Sequence, residues 1–171
     1  MKRKIFAILL GLFLCFTLGY ASEDKKINVG NKVENFVYYT LDGKEMNSLE
    51  FLNKKKILLN FTATWCPYCI EEKKLFSEEY EEIKKLNPDL EIIFMFGPYG
   101  QKEREDTVEK VKIYLEANNY KFPAYFEKGI ENIKSFGVQK IPTTILIDKD
   151  GTVLEKVSEY NNLKGIALPK K

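Results

Sequence analysis

The chain has 171 residues, 44% of them hydrophobic and 30% charged, with a formal net charge of +2. That length carries one core plus a small extra segment, and so mild a charge offers no nucleic-acid surface. Three cysteines and no histidine argue against a tetrahedral zinc site within one chain, which needs about four Cys or His ligands.

Residues 1–21 stand apart from any core. Lys2, Arg3 and Lys4 precede the apolar run "IFAILLGLFLCFTLGY", and Gly19 and Ala21 are spaced like a signal-peptidase site. This is the three-part pattern of a secretory signal with cleavage after Ala21; the other reading is an uncleaved membrane anchor. Either one places the remaining chain outside the cytoplasm, with membrane contact confined to this segment. Cleavage takes Lys plus Arg from 27 to 24 against 25 Asp plus Glu, a net of −1. It also removes Cys15, so the mature protein keeps Cys66 and Cys69 alone.

Residues 22–30 read as a polar linker, and 31–171 as the folded domain. "NFVYYTLDGKEM" places apolar flanks around Asp42-Gly43, a hairpin signal. "SLEFLNK" predicts one short helical turn. The continuous apolar run Ile57 to Phe61 predicts a strand buried on both faces of a sheet. From Cys69 onward the spacing is helical. Cys69, Phe76, Tyr80, Ile83 and Leu86 form one stripe, with Lys73, Lys74, Glu78, Glu81, Lys84 and Lys85 mostly off it. Asn87-Pro88 ends that helix, and "LEIIFMF" predicts a second buried strand. After the loop "GPYGQKERED", "TVEKVKIYLEANN" predicts a second helix with Thr107 or Asp106 as its N-cap. "KFPAYFE" is short and extended, "GIENIKSFGV" is a short helix, and "IPTTILID" and "TVLEKV" form a hairpin around Asp150-Gly151. The order predicts an α/β fold with a mixed sheet.

The chemistry gathers in "FTATWCPYCIEE". The cysteines follow a buried strand where the chain enters a helix, at the carboxyl end where α/β folds place their sites. At a helix start, unpaired N–H groups and the dipole favour a thiolate. Pro67 suits the first helical position because it has no N–H to leave unpaired. Cys66 is therefore expected to be the exposed nucleophile and Cys69 the buried resolving thiol. A cross-link enclosing two residues removes little chain entropy, which argues against a purely structural disulfide. Glu72 shares the stripe of Cys69. The residues alone leave it between a proton carrier raised by desolvation and a charge that complements the dipole. Asn60, polar in an apolar strand, must find hydrogen bonds. Pro142 opens a strand, where either a cis or a trans Ile141–Pro142 bond is compatible with the pattern.

Together "LLNFTATWCPYCIEE", "FGVQKIPTTILIDKDGTV" and the segment upstream from Val29 resemble the thioredoxin superfamily. The likeness is greatest to the TlpA-like extracytoplasmic thioredoxins of the redoxin (AhpC/TSA) type. The resemblance implies a thioredoxin fold: a central mixed sheet flanked by helices, with an N-terminal β-hairpin and a central inserted helix. It implies Cys66 as attacking thiol, Cys69 as resolving thiol, Glu72 as the acid–base glutamate, and a cis Pro142 packed against the cysteines. Trp65, Pro67, Tyr68, Ile141 and Pro142 would then contact substrate. The sequence departs from the group in three places: Pro67 follows the first cysteine with Tyr68 before the second, Thr62 replaces a usual tryptophan, and the C-terminal helix is weak, carrying Gly165 and Pro169.

The expectation is a monomeric extracytoplasmic thiol-disulfide oxidoreductase that reduces protein disulfides, with the Cys66–Cys69 pair in place of any cofactor. The resemblance implies roles in cytochrome c maturation or redox homeostasis, with electrons from a DsbD- or CcdA-type membrane donor. Competing readings are an oxidising role, a non-catalytic binding module with a structural disulfide, and a thiol peroxidase. For the last, Ala63 stands where such enzymes carry a threonine, and Arg104 is the one arginine outside the signal.

Overall fold

The structure, a computed structural model, describes residues 26–158. The signal or anchor at 1–21, the start of the linker and the C-terminal segment 159–171 lie outside the described residues. In chain order the elements are β1 (Val37–Thr40), β2 (Glu45–Asn47), a 3-10 turn (Ser48–Glu50), β3 (Lys56–Phe61), α1 (Pro67–Leu86), β4 (Leu90–Phe96), α2 (Val108–Asn118), β5 (Ala124–Phe126), α3 (Glu131–Ser135), β6 (Thr143–Ile147) and β7 (Val153–Val157).

β3 and β4 pair in parallel, Asn60 opposite Phe94, at the centre of a seven-stranded sheet ordered β2-β1-β5-β4-β3-β6-β7. β5 is parallel to β4, whereas β6 runs antiparallel to β3 and β7 to β6. The sheet is mixed, the hairpin turns at Asp42-Gly43, and α2 lies between β4 and β5, as the sequence predicts. β3 and β4 are mostly apolar because both faces of the sheet are covered there. Ile57, Leu59 and Phe61 point into one core with Ile93, Met95, Tyr99 and Phe136. Leu58 points to the other, with Phe76 and Ile83 of α1, Val111 of α2, and Phe94 and Phe96 of β4. By the same alternation Asn60 faces α1.

α1 departs from its predicted stripe at both ends. Leu86 is 52% exposed, since the helix ends there beyond the edge of the core. Lys73, predicted off the stripe, is fully buried. Its long apolar stem runs inward and its ammonium finds partners beneath the cysteines, described below. The β6–β7 turn rests on Gly151, at φ +86°, where a Cβ would come within 2.7 Å of the Val33 carbonyl oxygen.

Phe94 is fully buried, with ring centroids 4.1 Å from Phe122 and 4.9 Å from Phe76. Phe94→Ala is expected to cost about 3–5 kcal/mol in urea denaturation. A loss under about 1 kcal/mol would show that the second core does not depend on this ring.

Candidate functional site

β3 ends at Phe61, and the chain leaves the sheet through Thr62, Ala63, Thr64 and Trp65 before α1 begins at Pro67. Cys66 is the N-cap, and its Sγ accepts the Cys69 N–H at 3.3 Å. Sulfur thus takes the place usually held by a serine or aspartate oxygen, and receives one of the unpaired N–H groups of the first turn. Cys66 and Cys69 are joined as a disulfide, with Cα atoms 5.2 Å apart. Cys66 is less exposed than expected. It is 4% exposed and meets solvent only where it lines a cleft, while Cys69 is fully buried.

The cleft, of about 350 Å³, runs between Trp65, Cys66, Tyr99, Gly100, Lys140 and Ile141. The Ile141–Pro142 peptide is cis. The Ile141 carbonyl oxygen lies 3.6 Å from Cys66 Sγ. A disulfide sulfur has no hydrogen to give, so this contact becomes a hydrogen bond only from a thiol. Pro142 is buried, whereas Pro67 and Tyr68 face solvent on the first turn of α1, Tyr68 at 63% exposure. The cleft wall on the other side is Trp65, held by Gly100. At φ +102°, Gly100 adopts a conformation that side chains avoid, and a Cβ there would sit 2.7 Å from Trp65 Cζ2. A larger hollow of about 550 Å³, lined by Lys26, Glu131 and Lys134 among others, adjoins it through Val138 and Gln139. Its lining contains no cysteine, and the disulfide opens to the smaller cleft through Cys66.

Glu72 lies one turn beyond Cys69, 2% exposed. Its Oε2 accepts a 2.9 Å hydrogen bond from Asn60 Nδ2, which also donates to Thr144 Oγ1 at 2.8 Å. Glu72 Oε1 is buried with no hydrogen-bond partner among the described residues. Burial pushes its carboxyl up from 4.5 to about 7, against a lowering by the Asn60 hydrogen bond and the charge of Lys73. A carboxyl held in that range exchanges protons at neutral pH. The structure therefore brings Trp65, Cys66, Ile141 and Pro142 to one cleft, and places Cys69 and Glu72 behind it. Pro67 and Tyr68 sit on the outer turn.

Four neighbours of the site escaped the sequence reading. Tyr99 and Gly100 lie in a stretch that reads as plain loop. Lys73 reads as a solvated helix charge. Asp106 was one of two N-cap choices, and the cap falls to Thr107, whose Oγ1 accepts the Lys110 N–H at 3.2 Å. That leaves Asp106, 2% exposed, to accept the Thr64 N–H at 2.9 Å and the Thr64 hydroxyl. The "ED-T" doublet of cap residues was the available signal, since only one of two can cap.

The AhpC/TSA family model matches residues 29–156. A thiol-disulfide oxidoreductase ResA of Bacillus thuringiensis subsp. konkukian is 35% identical over 162 residues, covering 91% of this chain and 88% of that protein. Among solved structures, StoA from Bacillus subtilis superposes with a TM-score of 0.62 at 20% identity, over 76% of this chain and 90% of that one. Peroxidoxin BcpB from Mycobacterium tuberculosis superposes at 0.66 and 20% identity, over 82% and 94%. At such identities these two structures share the fold.

The raised Glu72 carboxyl predicts a pH-dependent stability. The folded state keeps a proton that the unfolded chain releases, so this contribution is complete below about pH 4.5 and is lost as pH rises through about 7. Glu72→Gln cannot ionise. Its stability relative to the wild type is expected to rise between pH 5 and 8, by on the order of 2 kcal/mol. Parallel urea midpoints across that range would contradict the buried carboxyl.

Proposed function

The chain belongs to the AhpC/TSA family, and from that premise we propose that it is an extracytoplasmic enzyme that reduces protein disulfides with the Cys66–Cys69 pair. Thiol-disulfide oxidoreductase chemistry is the activity of its ResA-type relatives. The observation that carries the reading is the asymmetry of the pair: Cys66 caps α1 at the cleft while Cys69 and Glu72 are enclosed behind it.

The reaction starts from the dithiol. The Cys66 thiolate, stabilised by the Cys69 N–H and the helix start, attacks one sulfur of the substrate disulfide. That S–S bond breaks, and the departing substrate sulfur leaves with its electron pair and takes a proton. Cys69 then gives its proton to ionised Glu72 and attacks Cys66 Sγ. The mixed disulfide breaks, the second substrate sulfur leaves as thiolate, and the Cys66–Cys69 disulfide remains. Two electrons pass from the pair to the substrate. Another dithiol must return them, and a DsbD- or CcdA-type membrane donor fits that requirement.

The extended substrate backbone lies against the Ile141–Pro142 segment, with Trp65, Pro67 and Tyr68 flanking the nucleophile. The signal or anchor reading of residues 1–21 supports a location outside the cytoplasm, with the domain acting as a monomer. Cytochrome c maturation and redox homeostasis are roles this chemistry serves. A peroxidase is less well supported. Ala63 offers no hydroxyl, the hydroxyls of Thr62 and Thr64 are engaged by Lys73 and Asp106, and Arg104 is exposed on its loop.

Insulin disulfide reduction tests the reading. Cys66→Ser is expected to abolish turnover, and Cys69→Ser to accumulate a mixed disulfide on Cys66. Turnover by Cys66→Ser removes Cys66 as the attacking thiol, and no thiol exchange by the wild type removes the oxidoreductase reading and leaves a binding module. A reduction potential below that of the glutathione pool supports the reducing direction. One near the strong oxidants, about −120 mV, reverses it.

A further inference from the structure

Lys73 is a buried charge to which the exchange steps above assign nothing. It is the fourth residue after Cys69, one helical turn along α1, and it is fully buried. Its Nζ donates to Thr62 Oγ1 at 3.0 Å and to the Ala63 carbonyl oxygen at 2.8 Å. The same ammonium lies 5.4 Å from the Phe96 ring centroid and 5.2 Å from that of Tyr114. Two acceptors and two aromatic faces surround it. Among the described residues no carboxylate lies within ion-pairing distance of it. A cation this deep is costly unless it is held by such partners, and it is held where the chain approaches Cys66. Lys73 grips Thr62 and Ala63, Asp106 grips Thr64, and Ala63 belongs to one buried cluster with the two cysteines.

Lys73 also adjoins Glu72 in sequence, and their side chains reach different partners. Glu72 faces Asn60 on β3, with Thr144 of β6 behind it, and both of those are neutral. Lys73 faces the loop after β3, Phe96 of β4, Tyr114 of α2, and Asp106 before α2. Among the described residues, Lys73 is the charged side chain whose field acts on Glu72. Burial depresses Lys73 from 10.5 to about 7, while the charges of Glu72 and Asp106 pull it upward. Asn60 and Thr62, which hold the two groups, are alternate residues of one strand and its continuation, so the carboxyl and the ammonium are anchored on the same face, two residues apart.

We propose that Lys73 is a positioning residue of the exchange reaction: its ammonium, clamped beneath Thr62 and Ala63, supplies the positive charge against which Glu72 gives up and regains its proton. With Lys73 charged, ionised Glu72 is stabilised and ready to take the Cys69 proton. Without that charge Glu72 stays protonated to higher pH and cannot accept it. The role rests on the oxidoreductase reading, whereas the coupling of the two side chains does not.

The test uses Lys73→Met, which removes charge and donors, and Lys73→Gln, which is neutral yet keeps a donor for the Ala63 carbonyl. The Glu72 carboxyl is titrated by 13C NMR in the oxidised protein, and the pH profile of insulin reduction is recorded alongside. Both variants are expected to move the Glu72 midpoint and the acid limb of the rate upward by about one pH unit or more. In a Glu72→Gln background the substitutions at Lys73 should leave the profile unmoved. A wild-type profile in Lys73→Gln assigns Lys73 to loop structure and overturns the proposal, as does a shift that persists in Glu72→Gln. The wild type gives an independent check if the variants do not fold. The Glu72 carboxyl and Lys73 Cε signals should titrate over one shared window, and independent titrations overturn the coupling. Absence of insulin reduction by the wild type refutes the oxidoreductase reading and the role in exchange, while the NMR titration still decides the coupling.

Discussion

The site depends on the unpaired N–H groups that open α1. A helix start must find acceptors for its first N–H groups, and here one acceptor is a sulfur, Cys66 Sγ, which receives the Cys69 N–H. Capping and acidity therefore share one interaction: the bond that caps the helix start also favours negative charge on the Cys66 sulfur. Moving Cys66 by one residue in either direction would lose both. Pro67 at the first helical position supports this geometry by having no N–H to satisfy.

Around that contact the fold supplies opposite environments to two sulfurs three residues apart. Cys66 looks out past Trp65 and the Ile141 carbonyl, while Cys69 turns into the protein toward the side on which Glu72 is buried. The central sheet makes the difference possible. β3 delivers the chain to the cysteines, β6 brings the cis Ile141–Pro142 segment alongside β3, and β4 provides the packed wall under α1. Gly100 lets the loop after β4 close against Trp65, which shapes the cleft from the far side.

The polar interior under the cysteines is organised as a chain of paired obligations. Asn60 bonds Glu72 and Thr144, Lys73 bonds Thr62 and Ala63, and Asp106 bonds Thr64. Burial raises the carboxyls of Glu72 and Asp106 and depresses the amine of Lys73, while the charge of Lys73 opposes the rise of both carboxyls and their charges oppose its own fall. Such a network fixes the approach to Cys66 and keeps protons exchangeable at neutral pH.

The strands, the three helices and the cysteine pair were legible because each follows from local patterning: runs of apolar residues, a 3.6-residue stripe, and a proline after the first cysteine. Glu72 was legible as a residue on the Cys69 stripe, since helix periodicity alone puts it one turn behind the sulfur. Lys73 was not. Periodicity counts a lysine as solvated, and only the packing of α1 against β4 and α2 shows that its stem is buried and its ammonium answered by Thr62, Ala63 and two rings. Asp106 and Gly100 were hidden for the same reason, because their partners, Thr64 and Trp65, are more than thirty residues away in the chain. Sequence by itself determined which atoms can do the chemistry, for a thiolate at a helix start is a local property. The tertiary structure decided their proton affinities and accessibility, because desolvation and charge depend on what the fold packs against them.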